Sequence, residues 1–245
     1  MAAPWLRRTR SKRSCLELMG RMPPNEMIAD KTMESAASPV LLFEGRASRY
    51  SQLQTLIALV KPRTIVEIGT HRGNSAVAMC LEALKHRSKV HYAGFDVFGT
   101  KDEDFHRRAF NGKGAFSKQV VHERLESIRA QFSSFTFELI EGETSSTLHG
   151  RSVRADFVFI DADHRTEVIA RDYAAVAKST VIVFDDFYDP SSPQGCVLIP
   201  KFGCNQLVAG LKDVTILPLA DGFPSTGPIR MAVIMHGSPF QHWSR

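Results

Sequence analysis

Two stretches of the chain end an apolar run in a cluster of acids. One is Val158-Phe159-Ile160-Asp161-Ala162-Asp163-His164, the other Val181-Ile182-Val183-Phe184-Asp185-Asp186. Carboxylates brought together repel one another unless protons or a cation neutralise them. Oxygen donors of this kind suit a hard divalent ion such as Mg²⁺, with water or substrate completing its shell. His164 adds a group able to accept a proton at neutral pH. Its alternatives are to cap a helix starting near Arg165 or to donate to a neighbouring acid. Asp163 reads as a helix-capping residue rather than a ligand.

A third stretch carries glycines in place of acids: Val66-Glu67-Ile68-Gly69-Thr70-His71-Arg72-Gly73-Asn74-Ser75. Gly69 and Gly73 permit a tight turn and a close approach of ligand to backbone. Asn74 or Ser75 can cap a following helix, whose N-terminus favours a carboxylate. The pattern is Glu-x-Gly-x-x-x-Gly, so the GxGxxG dinucleotide fingerprint is not met. About a helix length further on, Tyr92-Ala93-Gly94-Phe95-Asp96 ends in an acid. A carboxylate there can accept both ribose hydroxyl protons, as the acid after the second strand does in nucleotide-binding α/β folds; otherwise it is a solvated turn residue.

These tips need strands beneath them. Thr64–Ile68, His91–Asp96, Thr136–Glu141, Asp156–Asp161 and Thr180–Asp185 are short apolar or β-branched runs. The first, fourth and fifth read as buried strands. Amphipathic segments separate them at Asn74–Arg87, about 116–133 and Thr166–Ala177, after a first helix at 51–60 with Ser51 as its cap. Strand–helix alternation of this kind predicts an α/β fold with a parallel sheet covered on both faces. Val214–Pro218 and Ile229–Met235, joined by the Gly/Pro/Ser loop Leu219–Pro228, leave no room for a helix. They predict an antiparallel hairpin at the sheet edge.

The 245 residues suffice for one core. No apolar run approaches the roughly 20 residues of a membrane-spanning helix. The net charge of +5 lies in the tail: residues 1–21 hold six cations and one acid, and beyond them 25 cations face 25 acids. A basic tail without a basic face gives no support for nucleic acid as a partner. The tail lacks the apolar stretch of a secretory signal; an organellar transit peptide is the minority reading. Cys15, Cys80, Cys196 and Cys204 form no CxxC pair, which suits reduced thiols in a cytoplasmic protein.

The glycine loop resembles motif I of class I S-adenosylmethionine-dependent methyltransferases, and five parallel strands closed by a hairpin resemble their Rossmann-like, seven-stranded sheet. The tips FIDADH and VFDD are similar to those of metal-dependent O-methyltransferases related to the catechol enzymes, and more closely to the macrocin O-methyltransferase-like branch. The likeness covers about residues 60–190. It implies that Glu67, Gly69, Thr70, Gly73, Asn74 and Ser75 wrap the methionine end of S-adenosylmethionine and that Asp96 takes the ribose. Gly142, Glu143 and Thr144, after the third strand, would lie against the adenine, and Asp161 would face the cofactor. The resemblance further implies Asp161, Asp185 and Asp186 as ligands of Mg²⁺ or another hard divalent cation, and His164 as general base. Catechol enzymes have Asp-Asn at the fifth strand; Asp-Asp here adds negative charge.

The expected organisation is a basic tail and weak helix at 1–35, a methyltransferase domain at 36–237 and a short tail at 238–245. The expected reaction is methyl transfer to a hydroxyl of a small molecule, either a sugar of a glycosylated natural product or a catechol-like acceptor. Phe98–Glu123, long, charged and aromatic, reads as a lid or as a surface helix. Tyr188–Cys196 is a second segment able to line the same opening. A metal-independent methyltransferase and a non-catalytic cofactor-binding scaffold are the alternatives, and a homo-oligomer fits either.

Overall fold

The computed structural model describes residues 48–102, 104–105 and 116–236. The basic tail, the weak helix expected within 1–35, the 238–245 tail and residues 106–115 of the aromatic segment lie outside the described residues. Five strands, β1 (Thr64–Ile68), β2 (Val90–Asp96), β3 (Phe135–Glu141), β4 (Phe157–Ile160) and β5 (Val181–Tyr188), run parallel. They are joined by helices α1 (Ser51–Val60, before β1), α2 (Asn74–His86), α3 (Lys118–Gln131), α4 (Thr144–Thr147) and α5 (Thr166–Val176). Two short helices follow, α6 (Pro193–Leu198) and α7 (Asn205–Ala209), and then β6 (Val214–Ile216), β7 (Asp221–Phe223) and β8 (Gly227–Met235).

The sheet order is β3-β2-β1-β4-β5-β8-β6, with β8 antiparallel to β5 and β6. The expected C-terminal hairpin is therefore present, but β8 rather than β6 joins the parallel part. The sheet also has eight strands where seven were expected. β8 is nine residues long and β6 only three, so the first half of β8 would expose unpaired backbone. Residues from the expected loop supply β7, which pairs Asp221 with Ile229 and Phe223 with Gly227.

The alternation of side chains along each strand makes two cores. Ile65, Tyr92, Phe157, Phe159, Val181 and Val183 pack in one cluster with residues of α1, α2 and α3, such as Ile57, Met79 and Leu125. Val66, Ile68, Phe95, Val158, Ile160 and Phe184 pack on the other side with Ile169 and Val176 of α5 and Val208 of α7. Both faces of β4 are thus wholly buried, as an internal parallel strand requires. Each fully buried Phe or Ile contributes about 2–3 kcal/mol of transfer free energy, which anchors the strand tips in place.

Helix starts differ from expectation. Ser51 does not cap α1: its hydroxyl donates to the Ser48 carbonyl at 2.7 Å, and Tyr50 occupies the cap position. Gly73, not Asn74 or Ser75, caps α2 in a left-handed conformation with φ 81°. Asn74 instead accepts a hydrogen bond from Arg124 at 2.5 Å.

Candidate active site

The carboxyl-end tips of β1, β2, β3 and β4 surround a cavity of about 610 Å³. Gly69 has φ 94°, and a side chain there would drive a Cβ to 2.2 Å from the Asp161 carbonyl oxygen. Only glycine lets the β1 tip cross the β4 tip this closely. The amide of Gly69 donates to Phe95 at 2.8 Å and that of Asp161 to Ile68 at 2.8 Å, which locks the three strand ends together.

Asp96 holds the loop in shape. Its Oδ2 accepts from the amides of Thr70 and His71, both at 2.8 Å, and its Oδ1 from Phe98 at 2.9 Å. The Thr70 hydroxyl adds a third bond to Oδ2 at 3.3 Å, so the lone pair left for a ligand hydroxyl is on Oδ1, which accepts only one. Gly69, Thr70, Asn74, Ser75, Asp96, Gly142, Glu143, Thr144 and Asp161 all line the cavity. Gly73 and Glu67 do not. Glu67 is 1% exposed, within β1, and accepts a 2.5 Å hydrogen bond from Tyr92. Burial pushes its carboxyl well above the usual range, against the pull of that bond. It lies beneath the loop that was expected to use it.

The acid cluster assembles, but not in the expected arrangement. β5 carries a register shift between Phe184 and Phe187, and Asp186 adopts φ 56°. This bulge lets two consecutive side chains, Asp185 and Asp186, both be buried, at 3% and 5% exposure. They part company in their contacts. Arg49, from the residues just before α1, grips Asp185 with a two-pronged pair, Nε to Oδ1 at 2.7 Å and Nη2 to Oδ2 at 2.8 Å. Its remaining nitrogen donates to Asp221 of β7 at 2.8 Å, and Asp186 lies 3.8 Å away. Tyr50 donates to Asp185 at 2.7 Å and reaches Asp161 at 3.0 Å. Burial raises the Asp185 carboxyl, but the Arg49 charge and the hydrogen bonds from Arg49 and Tyr50 overcome it and bring the group down to about 2. Asp185 is thus held by a guanidinium in the position expected of a metal ligand.

His164 meets Asp186 through Nδ1 in a direct side-chain contact. Asp161, His164 and Asp186 each offer a ligand atom, all within 4.8 Å of one another. The segment before α7 clamps two of them: Gly203 donates to the His164 carbonyl at 2.8 Å and Cys204 to the Asp186 carbonyl at 3.1 Å. Two carboxylates and an imidazole form a donor set that fits a divalent cation. Charge points the same way, because Arg49 brings one positive charge to four carboxylates, Asp161, Asp185, Asp186 and Asp221. Asp161 lines the cavity; His164, Asp185 and Asp186 do not, and all three are buried. Asp163 does not cap α5, whose cap position is Arg165; its carboxylate accepts from the amide and guanidinium of Arg165, and it lines the cavity without belonging to the cluster's ligand set.

Phe105 and Phe116 of the aromatic segment line the cavity, the latter flanked by His71 at 4.8 Å and Arg72 at 4.6 Å. No residue of Tyr188–Cys196 does; Tyr188 is buried and Ser192 caps α6. Sequence reasoning missed Arg49 and Tyr50. The signal that could have exposed them is the acid excess itself, which demands a cation.

Residues 66–187 match the family model described as a methyltransferase domain. With its sheet order and glycine loop, the chain is a class I S-adenosylmethionine-dependent methyltransferase. Among solved structures it is similar to CalS11, a calicheamicin methyltransferase, at 18% identity and TM-score 0.52, covering 77% of this chain and 79% of that one. It is also similar to the cofactor-bound protein Rv0187 from MTB, at 18% identity and TM-score 0.50, covering 78% and 80%. No curated protein matches the chain. Among the described residues no helix is long and apolar enough to cross a membrane.

Proposed function

We propose that the chain transfers the methyl group of S-adenosylmethionine to a hydroxyl oxygen of a small molecule, with a divalent cation beside the acceptor. The observation that carries this reading is the convergence of Asp161, His164 and Asp186 at a cavity that Asp161 lines. The acceptor fits the description of a glycosylated natural product or a catechol, by the resemblance of the strand tips to macrocin-like and catechol enzymes.

The cofactor supplies a methyl group already made electrophilic by its sulfonium. A cation held by Asp161 and Asp186 would lower the pKa of the acceptor hydroxyl and fix its orientation. The chain's own residues do the positioning. Asp96 orients the ribose, and the Gly69 turn brings backbone close to the methionine end. Phe105 and Phe116 cover the acceptor side and exclude water. His164, oriented by Asp186 at Nδ1, would take the acceptor proton at Nε2 once the bound acceptor reaches that atom, which is buried and off the cavity wall; such a base is worth about 10²–10⁴ in rate. Asp185 belongs to Arg49 and serves the electrostatics of the cluster, a revision of its expected role as ligand.

The His164–Asp186 contact also favours a second reading, in which this pair alone deprotonates the acceptor and no metal takes part. Methyl transfer from labelled cofactor to a panel of catechols and glycosides separates the two. Under the metal reading, EDTA abolishes transfer, Mg²⁺ or Mn²⁺ restores it, and Asp161→Asn removes the restoration. Transfer that survives EDTA overturns the metal and leaves the pair. Cofactor binding without transfer to any acceptor would make the chain a scaffold.

A further inference from the structure

The rim of the cavity carries two guanidiniums that serve neither the Gly69 turn nor the acid cluster. Arg72 lines the cavity and is exposed. Its guanidinium lies 4.6 Å from the centre of the Phe116 ring, which His71 meets edge-on at 4.8 Å. The second guanidinium comes from α3. Val121 packs against the turn, where a Cβ on Gly73 would lie 3.1 Å from its Cγ1. Arg124 stands one helical turn further along the same face. It donates to Asn74, part of the cavity wall, at 2.5 Å.

Neither arginine has a carboxylate partner among the described residues. The first turns of α2 and α3 hold no acid. The acids flanking Arg124 on α3 are engaged elsewhere: Glu123 accepts from Gln119 and Glu126 from Arg129, both at 2.8 Å. Partial burial of Arg124 and the charge of Arg72 both draw the Arg124 pKa below its ordinary value, so the two cations feel one another. The bond to Asn74 uses one of five N–H donors on Arg124. An oxyanion between the two side chains would relieve their repulsion and accept charge-assisted hydrogen bonds.

Position separates the acceptor from the cofactor as the source of that anion. The amides that open α2, with Asn74 and Ser75, are the place for the cofactor's carboxylate. Arg72 lies further out, exposed and stacked on Phe116, a ring of the segment that covers the acceptor side. Charge separates a carboxylate from a phosphate. Five carboxylates line the cavity against three guanidiniums, and one of the three, Arg165, is bound to Asp163. Such a cavity tolerates one added negative charge better than two.

We propose that the methyl acceptor bears a carboxylate, held at the rim by Arg72 and Arg124 while its hydroxyl faces the acid cluster. The proposal rests on the reading that this cavity takes a small hydroxylated acceptor beside the cofactor. It narrows that acceptor to a catechol acid or a uronic acid glycoside, and makes their neutral counterparts poor ligands.

The test is calorimetric titration of the full chain, saturated with S-adenosylhomocysteine, with matched pairs of acceptors. Protocatechuate and caffeate are each set against their methyl esters, and phenyl glucuronide against phenyl glucoside. The wild type is expected to bind at least one acid about 10-fold more tightly than its neutral counterpart, the scale of one charge-assisted hydrogen bond. Added salt should shrink that preference. In Arg72→Gln the ratio of acid to neutral affinity should fall to about one. Arg124→Gln should lower the ratio part of the way, and Arg124→Lys, which keeps the charge, should lower it less. A wild type that binds acids and neutral counterparts alike, or binds none of the acids, overturns the proposal, and neither result needs a variant to fold. So does an Arg72→Gln protein that keeps the preference. A loss of S-adenosylhomocysteine affinity in Arg72→Gln as large as the loss for the acid would give the guanidinium to the cofactor's own carboxylate, which also overturns it. A preference for acids without methyl transfer to any of them from labelled cofactor would leave the carboxylate site standing and sink instead the hydroxyl-transfer reading beneath it.

Discussion

Removing the Arg49 side chain tests whether a guanidinium is the built-in counter-ion of the acid cluster. In Arg49→Met the two-pronged pair with Asp185 is lost and Asp185 stays buried at 3% exposure. Breaking a buried pair from one side costs about 3–5 kcal/mol, because the remaining charge keeps its desolvation penalty. The native pair also has a proton-linked part. Asp185 lies at about 2 against an ordinary 3.8, a displacement worth about 2 kcal/mol. An acid whose folded pKa is depressed contributes stability above its unfolded pKa, and that stability is lost as pH falls through about 2. In the variant burial wins and the carboxyl rises, so it takes up a proton on acidification. The stability gap between wild type and variant should therefore be widest near neutrality and shrink toward pH 4. Urea unfolding across this range measures it. Asp185→Asn in the same background removes the orphaned charge and should recover about 2 kcal/mol, whereas it should destabilise the wild type. Lysine at position 49 should fall between, since an ammonium cannot match both carboxylate oxygens. If the two single changes add to within about 0.5 kcal/mol in the double variant, Arg49 and Asp185 are not coupled and the counter-ion argument fails.

Other perturbations follow from the same contacts. Gly69→Ala forces a Cβ to 2.2 Å from the Asp161 carbonyl at φ 94°; thermal unfolding should register a loss of about 3 kcal/mol or more, with weakened cofactor binding in what remains folded. Glu67→Gln should leave cofactor affinity unchanged, because the side chain lies under the loop. Its effect is on stability: an acid with a raised folded pKa contributes stability below its unfolded pKa that is lost as pH rises. Unfolding curves should show the glutamine variant gaining on wild type above about pH 4.5, by up to ~1.4 kcal/mol per pH unit. Asp96→Asn removes a charge that holds three backbone amides, and titration with S-adenosylhomocysteine should show a loss of about 10- to 100-fold. An unaltered affinity would mean that the loop keeps its shape without that charge.

The parallel half of the molecule was legible because its signals are local. Apolar runs such as Phe157–Ile160 can be little other than buried strands, and the expected start and end of β1 agree with the observed ones. The cavity lining was legible for the same reason: strand tips in order give cleft residues in order. β7 was not legible, since Asp-Gly-Phe has turn composition and becomes a strand only because β8 outruns β6. Arg49 could not be read from pattern either. It sits 136 positions from Asp185, in a segment without periodicity, and nothing local marks it as buried.

The acid pair itself shows where pattern stops and geometry begins. In a regular strand neighbouring side chains point to opposite faces, so Asp185 and Asp186 should not share one pocket. The bulge after Phe184 breaks that rule, at the cost of a left-handed aspartate, a strain of about 1–3 kcal/mol. Something must hold Asp186 there, and its surroundings do so: Cys204 on its carbonyl, His164 on its carboxylate, Arg49 beside it. The strain thus divides two identical neighbours into two tasks. Asp185 turns to the fixed guanidinium; Asp186 turns to His164 and Asp161, the set proposed to handle a proton or a metal ion. A sequence shows two aspartates in a row, and only the backbone between them decides that they are not the same residue twice.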